Sequence, residues 1–256
     1  MRVCLLAHTT LSDKFTDYLT KEYWDEGGCG YTVPHDNDRA AVALTAIRTC
    51  YSPLKPSEIV AVEGGKYFGT AAADGGKGTD ADRLFRQIVR SKHTSTLEHI
   101  TYTFAVECVS RSLLAQLTRH RQFSFSVQSQ RYVKFGSGDK SGGFDYVTPP
   151  SIDGKVADDG FQAADFYESV MRYAQDTYDL LRKAGVPAED ARYVLPNAAA
   201  CNFVISGNLR AFLEFYGKRK AGGGAQHEIA DLAERFREEI TKVDEWVSPF
   251  FTKGDE

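Results

Sequence analysis

Several features that would mark common protein classes are missing from this chain. It has no CxxC pair, and its five cysteines (Cys4, Cys29, Cys50, Cys108 and Cys201) are odd in number and scattered. That argues against a zinc ribbon and against a disulfide framework, and free thiols suit a reducing compartment. No apolar run approaches the ~20 residues that a membrane span needs. Val3 to Ala7 is too short an apolar run for a secretory signal and reads better as a first strand, so the cytoplasm is the expected location. HExxH is absent, so His93 and His99, with Glu98 beside them, suggest no metal site. Internal repeats and low-complexity tails are absent as well. The formal net charge is −4, which argues against a nucleic-acid binder. Local basic clusters in such a chain point to small anionic ligands. At 256 residues the chain can bury a substantial core.

What is present is organised around Arg119-His120-Arg121-Gln122-Phe123-Ser124-Phe125-Ser126-Val127-Gln128-Ser129-Gln130-Arg131-Tyr132, which holds three arginines and three serines. An amphipathic helix from Ser110 to about Thr118, with Leu113, Leu114 and Leu117 on one side, leads into it. Arg119 to Arg131 reads as the end of that helix plus a polar loop. The apolar pair Tyr132-Val133 then resumes like a strand.

Elsewhere the pattern alternates between helix and strand. Val3–Ala7 is a buried strand. Asp13–Trp24 is a short helix. Asp36 or Asp38 caps a helix through Ala41, Leu44 and Ile47 to Tyr51, stopped by Ser52-Pro53. Gly64–Gly78 reads as a mobile loop. Thr79 or Asp80 caps a helix carrying Leu84, Phe85, Ile88 and Val89. Ile100, Tyr102, Phe104, Val106 and Cys108 alternate with polar residues along a half-buried strand. Ser137–Gly143 and Thr148–Ser151 are loops. Asp158 or Asp159 opens a long helix to Lys183, with Phe166, Val170, Tyr173, Ala174, Leu180 and Leu181 as its apolar content and Gly185 as its stop. Pro187 starts a helix running to Leu195. Asn202–Ser206 is a strand, Asn208–Tyr216 a helix closed by Gly217 and cationic Lys218–Lys220, and Gln226–Val243 a helix with an ordinary core stripe. The fold expected is α+β: an antiparallel sheet packed with helices in a single compact unit, residues 1–256 forming one domain.

Arg-His-Arg, seven residues, then Ser resembles the signature of the flavin-dependent thymidylate synthases. The resemblance extends from about Ala41 to Ala230, through Gln116–Arg119, Ala191–Pro196, Asn208–Arg210 and Ala225–Ile229 in matching order. It implies FAD as cofactor, dUMP as substrate, 5,10-methylenetetrahydrofolate as carbon donor and NADPH as reductant. It also implies a homotetramer with active sites at subunit interfaces. The arginines suit this chemistry, because a guanidinium fork recognises phosphate bidentately. By the same resemblance, Arg119, Arg192, Ser129, Gln130 and Arg131 hold dUMP, with Gln116 in support. Arg119, His120, Arg121, Ser95, Asn208 and Arg210 contact FAD, and His93 lies near the flavin. Arg48–Ser52 matches another segment near it. Arg219 matches the arginine that favours ionised N3 of the uracil, a catalytic role. Ser129 binds and polarises rather than attacking, since no histidine is evidently paired to activate it.

The chain departs from the family at three places. Val127 stands where Glu or Gln is usual, so contact with dUMP there must use the backbone or the adjacent Gln128. Glu214 stands where a neutral polar side chain near FAD is frequent. Cys50 replaces a frequent serine. Two other readings compete. One is a flavin-dependent NADPH oxidase or reductase without methyl transfer. The other is a non-catalytic nucleotide or RNA-binding module that stacks bases on Phe123, Phe125 and Tyr132.

Overall fold

In the computed structural model, which describes residues 1–24, 38–158 and 160–251, the alternating segment after Ile100 forms the strand β2, Thr101–Ser110. Tyr102, Phe104 and Val106 point inward and are fully buried, as the period-two pattern requires. The alternation breaks at Cys108. Its φ of 56° lies in the left-handed region, and its thiol is exposed rather than sharing the apolar face expected for it. The shift brings Val109 inward instead. The Cys108 backbone N–H donates to Asn202 Oδ1 at 2.9 Å.

Three further strands are β1 (Arg2–His8), β3 (Ser124–Val127) and β4 (Ala200–Asn208), and the antiparallel sheet has the order β1-β2-β4-β3. β1 is an edge strand. None of its residues is buried and Leu6 is 54% exposed, which corrects the buried strand expected from its composition. An edge position leaves part of an apolar run uncovered. β3 lies within the signature segment expected to be loop, whereas Tyr132-Val133 forms no strand and Tyr132 is 80% exposed. The serine–aromatic alternation from Ser124 to Val127 is what pairs: Gln128 N–H donates to Asn202 O at 2.9 Å.

The chain gathers into two compact units. One comprises Leu5–Phe104, Ser206–Ala225 and Ala233–Glu256. It contains α1 (Asp13–Trp24), α2 (Asp38–Thr49), α3 (Ile59–Gly69), α4 (Asp80–Arg90) and α8 (Leu209–Arg219). The C-terminal part of α9 (His227–Val243) also belongs to it. Phe104, Phe212 and Phe236 form its aromatic centre, with ring centroids 4.8 to 5.3 Å apart, inside the favourable range for tilted and edge-on rings. Beside them Arg39 Nε donates to Asp244 Oδ2 at 2.6 Å. Tyr102 Oη and Trp246 Nε1 also donate to that carboxylate, at 2.7 and 3.0 Å, so this buried charge is well satisfied.

α3 corrects the loop expected over Gly64–Gly78. Ile59, Val60, Gly64 and Tyr67 share a buried face, and burial of that face outweighs the glycine penalty of roughly 1 kcal/mol per residue. The loop is confined to the residues before α4. There Gly78 has φ +87°, and a Cβ would lie 2.2 Å from an Asp82 carboxylate oxygen. Of the two candidates, Thr79 caps α4, in a capping box with Asp82.

The other unit comprises Met1–Cys4, Ala105–Ile205 and Gln226–Leu232. It holds α5 (Arg111–Leu117), α6 (Ala163–Lys183) and the short α7 (Ala188–Ala191). α6 begins at Ala163 behind Gln162, later than Asp158; Asp159, like Asp36 and Cys29, lies outside the described residues. The core face of α6 is Met171, Ala174 and Tyr178. Phe166, Tyr173 and Leu180 are 67 to 74% exposed, so only part of the predicted apolar content packs inward. Gly185 ends the helix with φ +90°, and Val186 N–H returns to Leu181 O at 3.0 Å.

Candidate active site

The site residues suggested by the sequence fall into two groups, one in each unit. The first group surrounds a pocket of ≈ 820 Å³ whose lining includes Leu11, Phe15, Val42, Cys50, His93 and Ser95. Its walls come from α1, α2 and the 3-10 helix Thr94–His99. Apolar side chains from the two α-helices meet hydroxyl, imidazole and carboxylate groups from the 3-10 helix. His93 Nδ1 lies 3.0 Å from Tyr51 Oη, and the two rings meet edge-on with centroids 6.1 Å apart. The end of α2 is fixed from behind. Arg48 Nε donates to Glu63 Oε2 at 2.5 Å and Ser52 Oγ to Glu63 Oε1 at 2.7 Å. The Arg48 hydrogen bond holds the Glu63 carboxyl below its ordinary range.

In the same unit Asn208 caps α8, its side-chain oxygen accepting from Ala211 N–H at 2.9 Å. Arg210 in the first turn of α8 is clamped by two carboxylates: Nε donates to Glu214 at 2.9 Å and Nη1 to Glu98 at 2.6 Å. Those bonds, Glu214's first, raise the guanidinium pKa above its ordinary value. Glu214 thus turns toward the arginine, which answers how a carboxylate is tolerated at this position. Arg219 is the last residue of α8. At about 3.6 residues per turn it falls on the opposite face from Arg210. These two predicted residues therefore serve different surfaces.

The second group is built on the signature. Ser110 Oγ accepts from Leu113 N–H at 3.0 Å and so caps α5, and the Ser110 N–H and hydroxyl both donate to Glu228, at 2.7 and 2.5 Å. α5 then delivers Gln116, whose Nε2 is 3.5 Å from Ser112 O, and Arg119 just beyond the helix end. Arg119 and Arg121 are exposed and make no side-chain hydrogen bond or ion pair among the described residues. His120 lies half-buried between them. β3 ends at Val127, which is half-buried. Gln128 next to it is held by Asn202, whose Nδ2 donates to Gln128 Oε1 at 3.1 Å. Ser129 Oγ accepts from Arg131 N–H at 3.2 Å. Gln130 is buried, and its side-chain oxygen accepts from Arg111 Nη2 at 2.8 Å, so this contact orders the segment from within.

Arg131 and Arg192 converge. Arg131 Nε donates to the Glu189 carboxylate at 3.0 Å, and Arg192 Nε donates to the Glu189 backbone carbonyl at 2.9 Å. The α7 turn that carries Glu189 continues into the 3-10 turn Arg192–Val194. Sequence reasoning missed Glu189 and Glu98 as partners in the site, and placed Tyr51 only as part of the segment Arg48–Ser52. A signal existed for both acids, since Glu189 lies one helical turn before Arg192 and Glu98 lies within the polar segment His93–His99.

Comparison with known proteins identifies the family. The model of the thymidylate synthase complementing protein family matches residues 32–245. A flavin-dependent thymidylate synthase from Geobacter sulfurreducens is 35% identical over 201 residues, covering 78% of this chain and 77% of that protein. One from Clostridium tetani is 32% identical over 213 residues, covering 79% and 78%. Among solved structures, the Helicobacter pylori flavin-dependent thymidylate synthase complexed with FAD and dUMP superposes with a TM-score of 0.62. It is 21% identical, with 98% of each chain covered. A UMP/dUMP methylase from Streptomyces cacaoi, bound with 5-Br dUMP, gives 0.65 at 20% identity, over 98% of this chain and 94% of that one. At such identities the structural likeness speaks for the fold, while the family match and the sequence relatives speak for descent. The chain belongs to the thymidylate synthase complementing protein family, the flavin-dependent thymidylate synthases.

Proposed function

We propose that this chain converts dUMP to dTMP by reductive methylation, with FAD as cofactor, 5,10-methylenetetrahydrofolate as carbon donor and NADPH as the source of the hydride. The convergence of Arg131 and Arg192 on one anionic residue, within segments that match the family signature, carries this reading most directly. The two guanidinium groups suit the phosphate of dUMP. Arg119 and Arg121, exposed and without a side-chain ion pair among the described residues, add positive charge from the same signature segment. Val127 offers only its backbone, so the amide of Gln128 is the side chain available there to dUMP. Ser129 contributes its hydroxyl to binding and polarisation. Arg219 stabilises negative charge on the uracil ring as N3 ionises, which raises electron density at C5 for attack on the carbon donor.

The pocket lined by His93 and Ser95 fits a flavin. It joins apolar walls to a rim of hydroxyl and imidazole groups and lies in the size range of cofactor sites. Reduced FAD supplies the electrons that turn the transferred carbon into a methyl group. His93, Ser95, Asn208 and Arg210 position the cofactor, with Glu214 and Glu98 fixing the guanidinium of Arg210. The family resemblance assigns Arg119, His120 and Arg121 of the signature segment to FAD as well. The functional assembly is a cytoplasmic homotetramer whose subunits complete one another's sites.

The test is a visible absorbance titration of the purified protein reconstituted with FAD. Anaerobic NADPH is expected to bleach the flavin, and dUMP to perturb its spectrum. Formation of dTMP with the folate then separates this reading from a flavin reductase. Failure to hold FAD would sink the catalytic assignment.

A further inference from the structure

Among the described residues, Glu189 is the one acid in contact with the predicted phosphate-binding arginines. Its carboxylate takes the Arg131 fork, with Nε and Nη2 both 3.0 Å from Oε2. Its backbone carbonyl takes Arg192 Nε at 2.9 Å. The contact is open to solvent, with the Arg131 and Glu189 side chains 53% and 47% exposed. An exposed ion pair of this kind is weak. It therefore does little for folding, and it can be exchanged for a stronger anion without unfolding anything around it.

We propose that Glu189 is a built-in stand-in for the substrate's phosphate, an inference that rests on the dUMP reading of Arg131 and Arg192. In the ligand-free chain its carboxylate keeps the Arg131 guanidinium extended toward the site. An arriving phosphate monoester displaces it and takes over the fork. A dianion with three acceptor oxygens outcompetes a monoanionic carboxylate with two, because hydrogen bonds to a guanidinium strengthen with the charge of the acceptor. A ligand with a single negative charge has less to offer in the exchange. Glu189 is thus a threshold-setting residue: it weakens the binding of any anion that must displace it from Arg131, and uncharged nucleosides, which do not engage Arg131, are unaffected. The Arg192 contact uses the Glu189 main chain and is kept when the side chain changes, so the variants below alter one arginine's partner and leave the other's in place.

The experiment compares the FAD-reconstituted wild-type protein with Glu189→Gln and Glu189→Ala in equilibrium binding of dUMP, deoxyuridine and inorganic phosphate. Both variants are expected to bind dUMP and inorganic phosphate about two- to five-fold more tightly, the range an exposed ion pair supplies. Deoxyuridine, which lacks the phosphate, should bind unchanged. Unchanged or weaker anion binding in both variants, with wild-type melting behaviour, would overturn the proposal and make Glu189 an organiser of Arg131. If the variants melt earlier than the wild type, the same binding comparison is made at a temperature below both transitions, and the same two outcomes decide. Absence of dUMP binding by the wild-type protein would refute the substrate assignment instead, and inorganic phosphate alone would then judge the role of Glu189.

Discussion

Val127 and Arg219 are the side chains whose replacement is most informative. Val127 ends β3 beside Gln128, which Asn202 already engages. Val127→Gln adds an amide where none is present, and dUMP affinity is expected to stay similar or tighten by up to about tenfold, the worth of a good neutral hydrogen bond. A large loss in equilibrium binding would mean that the pocket closes around the valine. Arg219→Ala is expected to lower kcat for dTMP formation by roughly 100-fold, the scale for removing one electrostatic stabiliser, while NADPH still bleaches the flavin. Loss of both activities together would place Arg219 in cofactor binding.

α2 and α3 are tied by Glu63, and that tie is pH-dependent. Arg48, with help from Ser52, holds the folded-state carboxyl of Glu63 below its ordinary value. The unfolded chain therefore binds the proton more readily, so the stabilisation is complete above the ordinary value of about 4.3. It is lost as pH falls through the lowered folded value. Asp80, paired with Arg83 in α4, behaves in the same sense. Glu63→Gln should flatten the acid limb of a stability-versus-pH curve measured by denaturant unfolding, and an unchanged limb would assign the acid sensitivity elsewhere. Thr79→Ala removes the capping box of α4 and should cost about 1 kcal/mol, readable as a shift in denaturant midpoint. The same helix was legible in the sequence, because a cap at Thr79 or Asp80 and the stripe of Leu84, Phe85 and Ile88 signal it locally. α3 was not, because its glycines are tolerated only once Ile59, Val60 and Tyr67 have a face to pack against.

For the whole molecule, the buried Arg39–Asp244 pair joins residues far apart in sequence. Asp244→Ala leaves the Tyr102 hydroxyl without its acceptor and the buried Arg39 charge without its carboxylate, with only neutral partners such as Thr9 O and Val243 O remaining. It should destabilise the protein by about 3–5 kcal/mol, seen as an earlier thermal transition. The single domain expected for residues 1–256 predicts one calorimetric transition, and two resolved transitions would give the two compact units separate stabilities. FAD should raise the protein's midpoint with increasing concentration by mass action. Sedimentation should report four copies per particle.

The sequence by itself determined the α+β class, nearly every helix, the inward face of β2 from Tyr102 to Val106 and the identity of the arginine-rich signature. Helical and strand periods, capping residues and a long motif are all local information. Tertiary structure alone decided the strand order, the edge position of β1 and the pairing of β3. It also decided the break at Cys108, where Asn202 meets a backbone N–H that alternation cannot foresee. Neighbours across the fold set the state of the site as well. Glu189 reaches Arg131, Glu98 reaches Arg210, and Gln130 is withdrawn to Arg111. Such contacts follow from where the chain brings distant segments, and a hydrogen bond across that distance leaves no periodic trace in either one.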